Sequence, residues 1–174
     1  MQFAKDSFFV ALRQRLASLN PQRTVTWNGA TTPAILVVEN LPPYSAERLP
    51  NCFYVEFGAA QVLQARSGNS ALMEMNCQIS YYTLGTVESM VDRGRVLGQL
   101  DRELLSICQP TATEKQDFTQ SPSADLGTTV FWTQPAFDEG KAQGVEDNAG
   151  AHADGRVARQ ARMTAFFYSE VVLP

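Results

Sequence analysis

The sequence predicts an α+β fold: a mostly antiparallel sheet with a long β-hairpin and two helices packed on one face. Three observations predict it. Across residues 72–82, Met73, Met75, Cys77, Ile79 and Tyr81 alternate with Glu74, Asn76, Gln78, Ser80 and Tyr82, the period of a strand with one apolar and one polar face. Upstream, Phe53, Val55 and Phe57 alternate with Cys52, Tyr54 and Glu56, and the turn formers Arg66-Ser67-Gly68-Asn69-Ser70 lie between the two runs. Two stretches of helical period flank this hairpin, one before it and one after. A turn centred near Gly68 sets Phe57 opposite Ile79, Val55 opposite Tyr81 and Leu63 opposite Met73, with the apolar residues on one side. A strand of about a dozen residues spans roughly 40 Å, more than a core of this size has to cover. Part of the hairpin is therefore expected to project or to serve assembly.

The elements follow in order. Residues 6–19 place Phe8, Phe9, Leu12, Leu16 and Leu19 on one helical side, with Asp6 or Ser7 as cap and Asn20-Pro21 as stop. Trp27-Asn28-Gly29 reads as a turn, and the apolar run 34–38 between Pro33 and Leu41-Pro42-Pro43 as a buried strand. The hairpin occupies 52–83. A second helix over about 86–108 presents Met90, Leu97, Leu100, Leu104 and Ile107 to the core, although Gly94 and Gly98 weaken it by about 1 kcal/mol each relative to alanine. Gln109-Pro110 ends it. Residues 111–127 read as a polar loop, 128–133 as a short strand, and 160–172 as containing a last strand around Met163, Ala165 and Phe167. Between those strands, Glu139 to Arg156 is rich in glycine, alanine and acid without apolar period. It is expected to be a flexible acidic insertion.

At 174 residues and 44% apolar, the chain is expected to form one domain spanning 1–174. Neither a leader nor an apolar run approaching the roughly 18 residues of a membrane helix is present, so a protein made in the cytoplasm with no membrane partner is expected. Cys52, Cys77 and Cys108 are an odd number without ligand spacing; Cys52 and Cys77 have opposite facing, and all three are expected to stay reduced. The net charge is −4. Asp138, Glu139, Glu146, Asp147 and Asp154 against Lys141 account for it, and the rest of the chain is balanced. With no basic patch carrying interleaved aromatics, specific nucleic-acid readout is not expected.

Chemistry-bearing constellations are sparse. The one histidine, His152, lies in the acidic insertion without an orienting partner. Asp138-Glu139 with Asp147 or Asp154 offers oxygens to a hard cation, but solvated charge is the favoured reading. No phosphate-cradling loop or nucleophile elbow occurs. The expectation is no catalytic residue, no cofactor and no metal. Candidates for an interface are Tyr54, Glu74 and Tyr82 on the polar face of the hairpin, Phe166 and Tyr168 on the second face of the last strand, and Arg93 and Arg95 among the arginines that decorate the helices with Arg13, Arg15 and Arg102.

The order of elements and several segments resemble a known family. These are Ala11-Leu12-Arg13-Gln14-Arg15-Leu16-Ala17-Ser18-Leu19, Pro33-Ala34-Ile35-Leu36-Val37-Val38, Ile79-Ser80-Tyr81-Tyr82, Leu100-Asp101-Arg102-Glu103-Leu104-Leu105, Val130-Phe131-Trp132 and Arg162-Met163-Thr164-Ala165-Phe166-Phe167-Tyr168. Together they resemble the tail terminator, or minor tail protein U-like, proteins of long-tailed bacteriophages, which complete the tail. The resemblance implies a virion protein assembled in the host cytoplasm as a homo-oligomeric, usually hexameric, ring. Such a ring caps the tail tube protein, stops its polymerisation and offers a docking surface to head–tail connector or neck proteins. DNA passes its channel without specific binding. Another neck component would share ring and fold, and a small-molecule-binding or enzymatic α+β domain using the aromatic face as a pocket is the reading from a different class.

Overall fold

The computed structural model describes residues 1–41, 48–64, 71–85, 90–138 and 157–169. The turn at 66–70 and the acidic insertion with His152 lie outside them. Helix α1, Gln2–Leu19, buries Ala4, Phe8, Ala11, Leu12 and Leu16. It begins before the expected cap. Ser7 sits inside the helix, where its hydroxyl donates to the Phe3 carbonyl at 2.6 Å and accepts the Gln116 N–H at 2.9 Å. The segment after it forms a small hairpin of its own, β1 (Thr24–Trp27) and β2 (Ala30–Pro33), around Asn28 and Gly29. Their φ values of 48° and 78° match the left-handed pair that a two-residue hairpin turn requires.

The main sheet contains β3 (Ile35–Val37), β4 (Phe53–Gln64), β5 (Leu72–Thr83), β6 (Ala112–Asp117), β7 (Ala124–Trp132), β8 (Ala136–Asp138) and β9 (Val157–Tyr168). Its order is β3-β4-β5-β9-β7-β6, with β8 also on β9, and every pair except β3–β4 is antiparallel. Helix α2, Met90–Ile107, follows the long hairpin. Both helices pack on one sheet face. Phe8, Leu12 and Leu16 meet Leu97, Leu100, Leu104 and Ile107 over Val55, Ile79, Met163 and Phe167. Arg15 is not surface decoration: it donates to the carbonyls of Ile107 and Gln109 at 3.0 and 3.2 Å, closing the end of α2, and its guanidinium lies 5.0 Å over the Trp132 ring.

Two further expectations are corrected. The stretch 111–127 is largely strand, made of β6 and the start of β7, because its alternation is carried by polar residues: Thr113 is half-buried while Lys115 and Asp117 are buried. The hairpin register also differs. Val55 pairs with Ile79, Phe57 with Cys77 and Val62 with Met73, because β4 carries two extra residues relative to β5, one between Phe57 and Ala60 and one between Val62 and Gln64. Each bulge shifts the pairing by one. After both, Phe57 and Val55 regain the core face by a different route from the one the apolar pattern alone implies.

Candidate interaction surface

The face opposite the helices divides into three zones. At the β3 end it is a second core, in which Ala34, Leu36, Cys52 and Tyr54 are packed by Val25, Trp27, Leu41 and Leu49. Tyr54 is 1% exposed and Tyr82 is 8% exposed, so the expectation that these tyrosines lie on an open polar face is wrong. The Tyr54 hydroxyl accepts the Leu49 N–H, the Tyr82 hydroxyl donates to the Arg48 carbonyl, and the Arg48 guanidinium lies 5.1 Å over the Tyr54 ring. Burial, reinforced by the neighbouring Cys52, pushes the Tyr54 phenol's pKa up. Both rings belong to the fold.

The middle zone is an open groove of about 570 Å³ lined by Glu56, Asn76, Gln78, Thr133, Arg162 and Thr164. Arg162 approaches Asp138 at 3.3 Å in an exposed pair, an arrangement worth little in water. Gly58 sits on its floor, where an added Cβ would come within 3.4 Å of the Asn76 side chain and carbonyl. Cys77 also lines the groove, but its thiol is buried on the helix side of the sheet, where burial pushes its pKa up and holds it protonated. Among the described residues, no group of three His, Cys, Asp or Glu side chains is placed to hold a metal ion.

The third zone, toward the hairpin turn, brings three candidates together. One row across the sheet reads Phe131, Phe166, Glu74, Gln61, and the next reads Tyr168, Leu72, Gln64. The Phe131 and Phe166 rings stack at 5.2 Å and 17°, with Phe131 37% exposed, and the Gln61 amide donates to Glu74. A stacked aromatic pair beside a carboxylate on a partly exposed face fits a protein contact. Arg93 and Arg95 are elsewhere, on α2 across the sheet; Arg93 donates to the Leu84 carbonyl at 3.1 Å and Arg95 is exposed. Sequence reasoning missed Phe131 and Leu72. Phe131 has the parity opposite to Val130 and Trp132, the signal that places it beside Phe166.

The same end exposes a strand edge. β3 covers β4 only from Phe53 to Val55, and among the described residues no strand pairs with that side of residues 56–64. Val62 and Leu63 there are 56% and 48% exposed. The opposite edge, β6, is guarded: the Gln116 N–H is taken by Ser7, and the buried Lys115 reaches the Tyr168 carbonyl at 2.9 Å. Among the described residues no helix is long and apolar enough to cross a membrane. A scan against protein-family models and a search of curated proteins find no match to this chain.

Proposed function

We propose that this chain is a structural virion protein of the tail terminator type, which forms a ring on the tail tube, stops its polymerisation and presents a docking surface to neck proteins. The observation that carries the proposal is the partly exposed zone of Phe131, Phe166, Glu74 and Tyr168 at the end of the long hairpin, a stacked aromatic pair beside a carboxylate on a sheet whose other end is closed by its own second core. A ring needs two unlike surfaces on each protomer, and this platform differs from the arginine-bearing side of α2 on the opposite face. The order of elements adds the family resemblance. Capping a tube is a matter of shape and contact, so reactive side chains are not required of it.

The test is tube assembly. Purified protein is added to polymerising tail tube protein of a long-tailed phage, and tube ends and lengths are imaged. A ring at one end with growth arrested supports the proposal. Tubes of unchanged length without end density refute it. Phe166→Ser together with Phe131→Ser is expected to lower capping at least about tenfold while leaving the circular dichroism spectrum unchanged.

A further inference from the structure

We propose that the edge of β4 that no described strand pairs with is a self-association surface whose occupant is a second copy of this chain, with residues 58–64 of the two copies paired antiparallel about a two-fold axis through Gln61. The sequence of this run is Gly-Ala-Ala-Gln-Val-Leu-Gln, three small residues, a central glutamine and three large ones. Pairing about Gln61 sets Val62 opposite Ala60 of the second copy, Leu63 opposite Ala59 and Gln64 opposite Gly58. Every large side chain meets a small one.

The faces agree as well. Ala60 pairs with Met75 and Val62 with Met73 on the helix side of the sheet, while Gln61 pairs with Glu74 on the other side. Opposite residues of an antiparallel pair share a face, so Ala60 and Val62 of the two copies meet on one side and the two Gln61 amides on the other. The two bulges of β4 flank the stretch from Ala60 to Val62. A two-fold through Gln61 lays each bulge against the other copy's opposite bulge. Bulges normally spoil an edge for a straight strand; here they select a strand bent in the same way. Charge does not oppose the contact: Glu56 falls outside the paired run, and the two Glu74 carboxylates are three strand spacings apart, about 14 Å, beyond the screening length in physiological salt.

The contact is isologous and closes at two copies, so it does not rest on the proposed ring and leaves the Phe131–Phe166 platform free. Two seven-residue strands make an interface below the standard size, so the dimer is concentration-dependent.

Sedimentation equilibrium and cysteine cross-linking test it on the full chain. A mass approaching twice 19.2 kDa is expected as concentration rises, and Val62→Lys is expected to weaken association at least about tenfold. Gln61→Cys places two thiols on the axis with Cα atoms about 5 Å apart, within disulfide reach, whereas Gln64→Cys places them about 20 Å apart. The native cysteines are buried and do not compete. Gln61→Cys is therefore expected to give a covalent dimer on mild oxidation, and Gln64→Cys none. A monomer at about 100 μM, far above a micromolar Kd, overturns the proposal. So does a dimer in which Gln61→Cys stays unlinked, which leaves the ring reading untouched, or a larger assembly indifferent to Val62→Lys, which a ring alone would give. Failure of tube capping by protein that still cross-links through Gln61→Cys counts against the terminator reading alone.

Discussion

Glu103 on α2 is the strongest polar tie between the helix layer and the chain that leaves α1, and its replacement by glutamine measures that tie. It is 8% exposed and accepts from Arg23 Nε at 2.8 Å and Nη2 at 2.9 Å, from Asn20 at 2.8 Å and from Gln99 at 3.4 Å. Glutamine keeps the shape but turns one acceptor into a donor and leaves the Arg23 guanidinium, 14% exposed, without its counter-charge. Breaking a fully buried pair costs about 3–5 kcal/mol; with a tenth or more of each side chain in water, Glu103→Gln is expected to cost about 2–3 kcal/mol. In a chain of this length that lowers Tm by about 5–10 °C. Burial alone would raise the Glu103 pKa, but the bonds from Arg23 and Asn20 outweigh it and hold the carboxyl below its ordinary value. The unfolded chain therefore binds this proton more readily. The contribution is complete above the ordinary glutamate pKa of about 4.3 and is lost as pH falls through the lower native value. Urea unfolding of wild type and Glu103→Gln at neutral and acid pH should show the gap closing below about pH 4. Replacing both partners by leucine is expected to recover most of the loss. A single-variant effect under about 0.5 kcal/mol, or a gap independent of pH, would refute the reasoning.

Two further outcomes follow from local geometry. Gly29 holds φ at +78° with nothing near an added Cβ, while Gly94 lies in α2 with the same open space, so Gly29→Ala is expected to cost about 1 kcal/mol and Gly94→Ala to gain about 0.5–1 kcal/mol in urea unfolding. The three cysteine thiols are buried, with burial pushing Cys52 and Cys108 up to about 12; they are expected to react with a thiol reagent at neutral pH only at the rate of unfolding, and a fast-reacting thiol in the native protein contradicts this.

Apolar period made the helices, the long hairpin and the core face of β9 legible. Leu97, Leu100, Leu104 and Ile107 are all buried as their spacing requires, and so are Cys77, Ile79 and Tyr81. Where burial is carried by polar atoms, the pattern misleads. Lys115 and Asp117 made β6 read as a loop, and Ser7 read as a cap although it satisfies the Gln116 N–H from the middle of α1. Register was illegible for a different reason. Leu63 at the second bulge has ordinary strand character and nothing local marks it as extra, while Gly58 is the one local sign of the first. Of the candidates for an interface, Glu74, Phe166 and Tyr168 meet because alternation fixes their face. Tyr54 and Tyr82 share that parity, yet they are buried: β1 and the segment around Leu49 pack on the cluster that holds Tyr54, and Tyr82 bonds to Arg48 and Asn51, tertiary events that no period within their own strands encodes.

That covering decides where the chain is able to engage other molecules. β1–β2 and the segment after β3 close one end of the outer face, the helices close the inner face, and α1 with Lys115 closes the β6 edge. Among the described residues, three of the exposed large apolar side chains stand at the hairpin end, Val62 and Leu63 on the edge and Phe131 on the face. The two positions differ in chemistry. An edge offers unpaired backbone groups, which only another strand satisfies, so its natural occupant is a β-strand and its contact directional. A face of stacked rings offers area without backbone groups and accepts any rigid apolar surface of matching shape. One end of one hairpin therefore offers two positions that do not overlap: the proposed two-fold through Gln61 would use the edge, and the proposed ring or tube contact would use the face. Assembly defects from Val62→Lys and from the paired Phe131 and Phe166 substitutions are accordingly expected to be separable, each leaving the other contact intact.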